Sequence, residues 1–308
     1  MVRRHVSLPP LTALVAFEAA ARQRSLTAAA KALNVTPGAV SKQIKALEGE
    51  AGVALLLRGH RAVELTAPGE ELYAALASGF GEIAAAFQRI KASAGGTRSV
   101  TLGSTAAFAQ MWLMPRLGAF WRAHQDIVVN HVISDHSHDL NVAHVDLRVR
   151  YGTGSWDGEA AIRLFGDEIY PVCSPSFARA HKCKAPADLV ALPLLELEGG
   201  DPDWTDWAHW LKAAGCKARA LKRRTISSYV VALQAAQDGQ GVALGWHSLV
   251  APLLAARKLV PLGPVTIPAP HAFYVTWSER RPLSAEAIVL RDWLVAAARP
   301  KGSPPSRD

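Results

Sequence analysis

The sequence predicts an α/β protein built from a small helical N-terminal domain, one long helix and a larger domain of alternating strands and helices. Three observations carry this. Apolar residues recur at helical spacing through residues 10–57 and again through 68–91, a small-residue break at Ser93-Ala94-Gly95-Gly96-Thr97 follows, and short β-rich runs fill the remainder. At 308 residues the chain exceeds what one ordinary core needs, which favours two domains, or a small domain on a larger one.

In the first stretch the punctuation marks three short helices rather than one long one. Leu14, Phe17 and Ala21 stripe the first. Ser25 is placed to cap a second through Ala28, Ala29, Ala30 and Leu33, whose small side chains let a neighbouring helix approach closely. Asn34-Val35 makes a turn. Thr36 then caps a third helix with Pro37 at its first position, where the missing N–H is not needed, and Val40, Ile44 and Leu47 form its inward face. Gly49 and Gly52 mark its end.

Residues 54–57 and 62–66 read as two short strands around Arg58-Gly59-His60-Arg61, a positively charged tip with the shape of a wing. Pro68 opens a long helix in which Leu72, Leu76, Phe80, Ile83, Phe87 and Ile90 follow each other three or four residues apart, the seam that a coiled coil buries. At 1.5 Å per residue a helix over 68–91 extends roughly 36 Å, too far for so small a domain to wrap, so self-association is its expected use.

Beyond the break, strands are expected at 99–103, 127–133, 147–151, 168–173, 224–227, 241–245 and 273–277, with helices between them and mostly parallel pairing. The tail from Arg299 reads as disordered, being rich in Pro, Gly, Ser and charge.

Composition narrows the function classes. Half of the residues are hydrophobic and 19% are charged, which excludes a disordered chain, and no apolar run is long enough to span a membrane. A formal charge of +8 favours an anionic partner, although surplus Lys and Arg also decorate ordinary surfaces. Cys173, Cys183 and Cys216 are scattered and lack the close pairing of a zinc or redox motif, consistent with reduced thiols in a cytosol. Arg3 and Arg4 ahead of an apolar stretch imitate a signal peptide. Pro9-Pro10, Glu18, Arg22 and Arg24 break the imitation, so residues 10–22 are read as a buried helix of a cytoplasmic protein.

A helix-turn-helix places its second helix in the DNA major groove, so that helix should expose small and basic residues near its N-terminus. Thr36, Gly38, Ser41, Lys42 and Lys45 supply such a face, and the positive end of the helix dipole would add a phosphate site. A three-helix packing unit with a solvated lysine face fits the same spacing, so pattern alone leaves both open.

The residues at 16–22 (Ala-Phe-Glu-Ala-Ala-Ala-Arg), Ser25-Leu26-Thr27-Ala28-Ala29-Ala30, Leu33-Asn34-Val35-Thr36-Pro37-Gly38-Ala39-Val40-Ser41 and Gln43-Ile44-Lys45-Ala46-Leu47-Glu48 resemble the N-terminal signature of LysR-type transcription regulators. Gly52-Val53-Ala54-Leu55 and Glu64-Leu65-Thr66-Ala67-Pro68-Gly69 resemble that family's wing and the start of its dimer helix. Leu56 stands where the family usually has Phe, and Gly59-His60 replaces a more basic tip. More weakly, residues 146–152 and Pro171-Val172-Cys173-Ser174-Pro175 resemble the subgroup containing the glycine-cleavage and β-lactamase regulators.

The resemblance implies a winged helix-turn-helix DNA-binding domain over 1–67, a dimerising linker helix over 68–92 and, over 93–308, a periplasmic-binding-protein-like effector domain of two α/β lobes joined by crossover strands. It implies a homo-oligomer, dimer or tetramer, that binds double-stranded promoter DNA through Ser25, Thr27, Thr36, Pro37, Gly38, Ser41, Lys42, Lys45, Arg58 and Arg61. It also implies a small-molecule effector: an anionic or amino-acid-like metabolite, or a cell-wall fragment. No cofactor is expected.

By the same resemblance Ser104 and Thr105, after the first strand of the larger domain, would bring hydroxyls and helix N–H groups to the effector cleft, suited to a carboxylate or other anion. Ser104 as a plain helix cap fits equally well. Tyr151, Ser227, Ser228, Trp246 and His247 follow other strands at analogous ends and complete the candidate pocket. His131, Asp135, His136, His138, Asp139 and His144 crowd together, but their spacing does not suit a metal site. Nor is there a Gly-x-Ser-x-Gly elbow, a His-Glu-x-x-His motif or a P-loop, and Gly239, Gly241 and Gly245 are misspaced for a dinucleotide fingerprint, so no enzyme is expected.

Overall fold

Pro10 fixes the entry to α1 (Leu11–Gln23), whose inner face carries only alanines beside Leu14 and Phe17, and Phe17 is fully buried. A computed structural model describes residues 8–58, 63–94, 98–135, 145–197, 203–216 and 221–299. The chain divides into a unit ending at Arg89 and a second beginning at Ile90.

In the first unit Ser25 caps α2 (Leu26–Ala32), its hydroxyl accepting the Ala28 N–H at 3.2 Å, and Ala29 and Ala30 are buried where their lack of bulk permits close helix packing. Asn34 turns the chain at φ 54°, a conformation Asn tolerates. The Thr36 hydroxyl accepts the Ala39 N–H at 3.2 Å and starts α3 (Pro37–Ala51) with Pro37 at its first position; Val40, Ile44 and Leu47 are its buried stripe. Only one of the two expected glycine stops acts as one. Gly49 lies within α3, whereas Gly52, at φ 72°, takes the left-handed conformation that ends it.

The wing is a two-stranded hairpin, β1 (Leu56–Arg58) antiparallel to β2 (Val63–Leu65). Glu48 Oε1 accepts the Leu55 and Leu56 N–H groups at 2.9 and 3.2 Å, tying the hairpin to α3. Thr66 donates its hydroxyl to Ala54 O at 2.8 Å and accepts the Gly69 N–H at 3.1 Å, which anchors the start of α4 (Ala67–Ala94) to the hairpin. Gly69 is obligatory there. A Cβ on it would lie 2.0 Å from the Leu55 carbonyl oxygen.

The seam on α4 has two fates. Leu72, Leu76 and Phe80 pack on the core around Phe17, whereas Ile83, Phe87 and Ile90 are 57–66% exposed.

The second unit is built on one nine-stranded sheet in the order β4-β3-β5-β11-β6-β9-β7-β8, with β10 on β6. These strands are β3 (Arg98–Ser104), β4 (Ile127–Ile133), β5 (Leu147–Gly152), β6 (Glu159–Cys173), β7 (Leu194–Leu197), β8 (Arg223–Ile226), β9 (Val242–Trp246), β10 (Val260–Pro261) and β11 (Ile267–Ser278). Pairing is parallel within two blocks, β4-β3-β5 and β9-β7-β8. The long strands β6 and β11 run antiparallel to each other and to their outer neighbours, joining the blocks through the middle of the sheet. The mostly parallel pairing expected from the pattern is therefore confined to the outer blocks.

Helices cover the sheet: α5 (Met114–Ala123) after a π-helical turn, α6 (Pro175–Ala180), α7 (Trp207–Ala213), α8 (Tyr229–Gln237), α9 (His247–Ala255) and α10 (Ala285–Ala298). Leu102, Phe120, Leu147, Trp207, Leu233, Phe273 and Leu290 lie within the core they enclose. Among the described residues no helix is long and apolar enough to cross a membrane. The tail beyond Arg299 lies outside the described residues.

Candidate DNA-reading and effector sites

Helix α3 separates its roles by angle. At about 100° per residue Gly38, Ser41, Lys42 and Lys45 fall on the side away from Val40, Ile44 and Leu47. Thr36, Pro37, Gly38, Lys42 and Lys45 are exposed, and Ser41 is half-buried. No acidic residue occupies the first turn, so the N-terminal dipole there is unopposed within the helix. Thr27 is exposed on α2, while Ser25 is half-buried and engaged in its cap. Arg58 ends β1, and Arg61 lies outside the described residues.

The candidate effector residues do not all converge. Ser104 is fully buried, with its hydroxyl 3.0 Å from His131 Nε2, and burial lowers the His131 pKa. Thr105 Oγ1 accepts the Phe108 N–H at 3.3 Å, and Asp135 accepts the Ala106 N–H at 2.9 Å. The protein's own side chains thus already serve this helix start. His247 is exposed, its Nδ1 2.7 Å from the Tyr170 hydroxyl, and Ser227 is exposed ahead of Ser228, the N-cap of α8.

Trp246 and Tyr151 belong to a different feature. A cavity of about 470 Å³ opens where β7 and β9 end, beside the first turns of α7 and α8 and the Pro270-His271 stretch of β11. Trp204, Tyr229 and Trp246 give it an aromatic wall: the Trp204 ring centroid lies 4.3 Å from that of Trp246 and 5.4 Å from that of Tyr229. Tyr151 packs behind, 5.3 Å from Trp204. The Tyr229 hydroxyl donates to Leu244 O at 3.0 Å and accepts the Trp246 backbone N–H at 3.3 Å, which fixes the wall to β9.

Glu196, Asp203, Thr205 and Asp206 supply the polar side. Glu196 Oε1 accepts the Trp207 N–H at 3.2 Å, and burial raises the carboxyl pKa although Arg223 stands 3.7 Å from its other oxygen. Burial pushes the Tyr151 phenol up to about 12, with Asp167 and Asp203 adding to the rise. The Trp246 indole and the His271 backbone N–H, both close to the phenol, oppose that rise, although neither Tyr151 Oη nor Trp246 Nε1 has a partner in strict hydrogen-bonding geometry.

Sequence reasoning missed Glu196, Asp203, Trp204, Thr205, Tyr229 and His271. The clustering of three of the nine tryptophans at positions 204, 207 and 210 signals the 203–210 segment, but nothing comparable marks Glu196, Tyr229 or His271. Among the described residues no His, Cys, Asp or Glu group could hold a metal; His136, His138, Asp139 and His144 lie outside them. The three cysteines are free thiols, and burial pushes Cys173 up to about 12.

Comparison with known proteins accounts for both units. Residues 11–70 match the bacterial regulatory helix-turn-helix protein of the lysR family, and residues 93–299 match the LysR substrate binding domain. The glycine cleavage system transcriptional activator of Escherichia coli K12 is 35% identical over 295 residues, covering 94% of each chain. The HTH-type transcriptional activator AmpR of Pseudomonas aeruginosa is 36% identical over 304 residues, covering 97% of this chain and 98% of the relative. The crystal structure of the Pseudomonas aeruginosa AmpR effector domain superposes with a TM-score of 0.58 at 27% identity, covering 65% of this chain and 95% of that one. Full-length CbnR complexed with its target DNA shares the fold, at a TM-score of 0.67 and 20% identity over 94% of this chain and all of that one. The chain belongs to the LysR family of transcriptional regulators, with a helix-turn-helix unit followed by a substrate-binding domain, and its relatives include the glycine-cleavage and AmpR activators.

Proposed function

We propose that the chain binds promoter DNA as a cytoplasmic homo-oligomer and changes the geometry of that assembly when a small molecule enters the effector domain, acting by binding rather than catalysis. The domains are assigned as 1–67 for DNA binding, 68–92 for the linker helix and 93–308 for the effector. Ser41, Lys42 and Lys45 read the major groove from α3; Ser25, Thr27, Thr36 and the Gly38 N–H hold phosphates beside it, with Pro37 packing against the backbone at the helix start, and Arg58 and Arg61 extend the contact through the wing.

The observation that carries this reading is the division of α3 into a buried apolar stripe and an exposed face with lysines and no acid in its first turn. Self-association is assigned to the outer half of the α4 seam. Effector binding is assigned to the cavity walled by Trp246, with Tyr151 behind it and Ser228 at the adjoining helix start; Ser104, Thr105, Ser227 and His247 form the outlying part of the candidate set.

The test is titration of the full-length chain on a DNA fragment selected from a random-sequence pool, at two salt concentrations. A steep fall in affinity with salt is expected, because phosphate neutralisation releases counterions. Salt-independent affinity would overturn the assignment.

A further inference from the structure

We infer that the effector presents a protonated amine or guanidinium to the cavity bounded by Glu196, Asp203, Trp204, Tyr229 and Trp246. This rests on the reading of that cavity as the effector site. Among the described residues six buried side-chain polar atoms lack a hydrogen-bond partner. Three of them, Glu196 Oε2, whose ion-pair partner Arg223 stands 3.7 Å away, Thr205 Oγ1 and Trp246 Nε1, belong to residues lining this one cavity, and Tyr151 Oη, beside the Trp246 indole, lies directly behind its aromatic wall. Buried polar atoms are ordinarily satisfied, so such a concentration around an open space marks groups that a ligand completes. Glu196 is 8% exposed and Trp246 2%, so bulk water is a poor substitute partner.

The sign of the charge follows from the walls. Glu196, Asp203 and Asp206 line the cavity, and among the described residues no lysine or arginine does. Basic groups nearby include Arg223, half exposed and 3.7 Å from Glu196, and two histidines, His271 3.7 Å from Asp203 and His209 hydrogen-bonded to Asp206. Two amides at the cavity that could attract an anion are already taken: Glu196 holds the Trp207 N–H and Asp206 holds the His209 N–H at 2.7 Å. An anion would therefore meet three carboxylates, while the donors left open, the Trp246 indole N–H and the Thr205 hydroxyl, suit a neutral acceptor elsewhere on the ligand.

A cation meets the opposite situation. It gains a charge-assisted hydrogen bond to Glu196 Oε2, and the rings of Trp204, Trp246 and Tyr229 attract positive charge to their faces. An N–H-bearing cation suits this carboxylate oxygen, which Arg223 approaches only to 3.7 Å, better than a quaternary ammonium, which has no proton to give it.

The experiment uses the full-length chain with four probes, putrescine, agmatine, 1,4-butanediol and succinate, read by thermal shift and by tryptophan fluorescence, with Trp204→Phe locating the fluorescence change. Putrescine and agmatine are expected to bind at millimolar concentration or below, with butanediol and succinate leaving both signals unmoved. Glu196→Gln keeps an oxygen for the Trp207 N–H but removes the charge, and should weaken amine binding by about tenfold or more. Asp203→Asn serves the same purpose should the first variant not fold. Preference for succinate or butanediol, or amine binding unaffected by either variant, overturns the cation inference and leaves the effector site standing. Silence from all four probes overturns both.

Discussion

Ile83→Asp is expected to dissociate the oligomer while leaving each chain folded, and Leu76→Asp is expected to do something different. Both positions sit on the α4 seam, but Leu76 is partly buried against the core around Phe17, whereas Ile83 is 65% exposed. Burying an isoleucine side chain contributes about 1.5–3 kcal/mol. A symmetric dimer contains the substitution twice, so the loss is about 3–6 kcal/mol, or two to four powers of ten in the dissociation constant. The desolvation of an aspartate at the contact adds to this. Leu76→Asp instead places a carboxylate against the chain's own core and should lower the stability of the first unit together with its association. Sedimentation velocity across a concentration series, with circular dichroism and thermal melting on the same samples, separates the two. An Ile83→Asp chain with the wild-type dissociation constant would show that this half of the seam is not the interface.

Gly69→Ala should destabilise the hairpin-to-α4 junction by about 3 kcal/mol or more, since the added methyl would sit 2.0 Å from the Leu55 carbonyl, and an unchanged urea midpoint would refute the packing argument. Glu196→Gln should raise the melting temperature at neutral pH. Burial raises the folded-state pKa of Glu196, so its favourable contribution exists only below the ordinary carboxylate range and is lost as pH rises through the folded value. Glutamine carries no such penalty, so the difference between the chains should shrink toward pH ~4; a difference that grows on acidification contradicts this.

Much of the first unit was legible because each local signal has one dominant cause. Ser25 and Thr36 cap where their hydroxyls can reach an amide three residues on, and Val40, Ile44 and Leu47 are buried because helical periodicity puts them on one face. Gly49 misled because glycine only weakens a helix interior, and it is the left-handed turn at Gly52 that ends α3. In the second unit the start of β6 was missed because residues 159–168 are only half-buried and show no clean alternation, and β7 because Leu194–Leu197 is too short for periodicity to declare. The cavity was the least legible part. Glu196, Trp204, Tyr229 and His271 lie on four separate segments that only the sheet order brings together, so no spacing in the sequence connects them.

The most direct test of the central claim is a comparison of Ser41→Ala and Lys42→Ala with the wild-type chain on a selected DNA site and on random DNA, each at two salt concentrations. Both positions lie off the buried stripe of α3, so the variants should retain wild-type circular dichroism. A lost base contact should reduce affinity for the selected site by about 1–3 kcal/mol and relax sequence preference there, whereas a lost phosphate contact should weaken both DNAs alike and lower the salt slope by about one unit. Folded variants that bind the selected site as tightly as wild type would contradict the assignment of α3 as the reading helix.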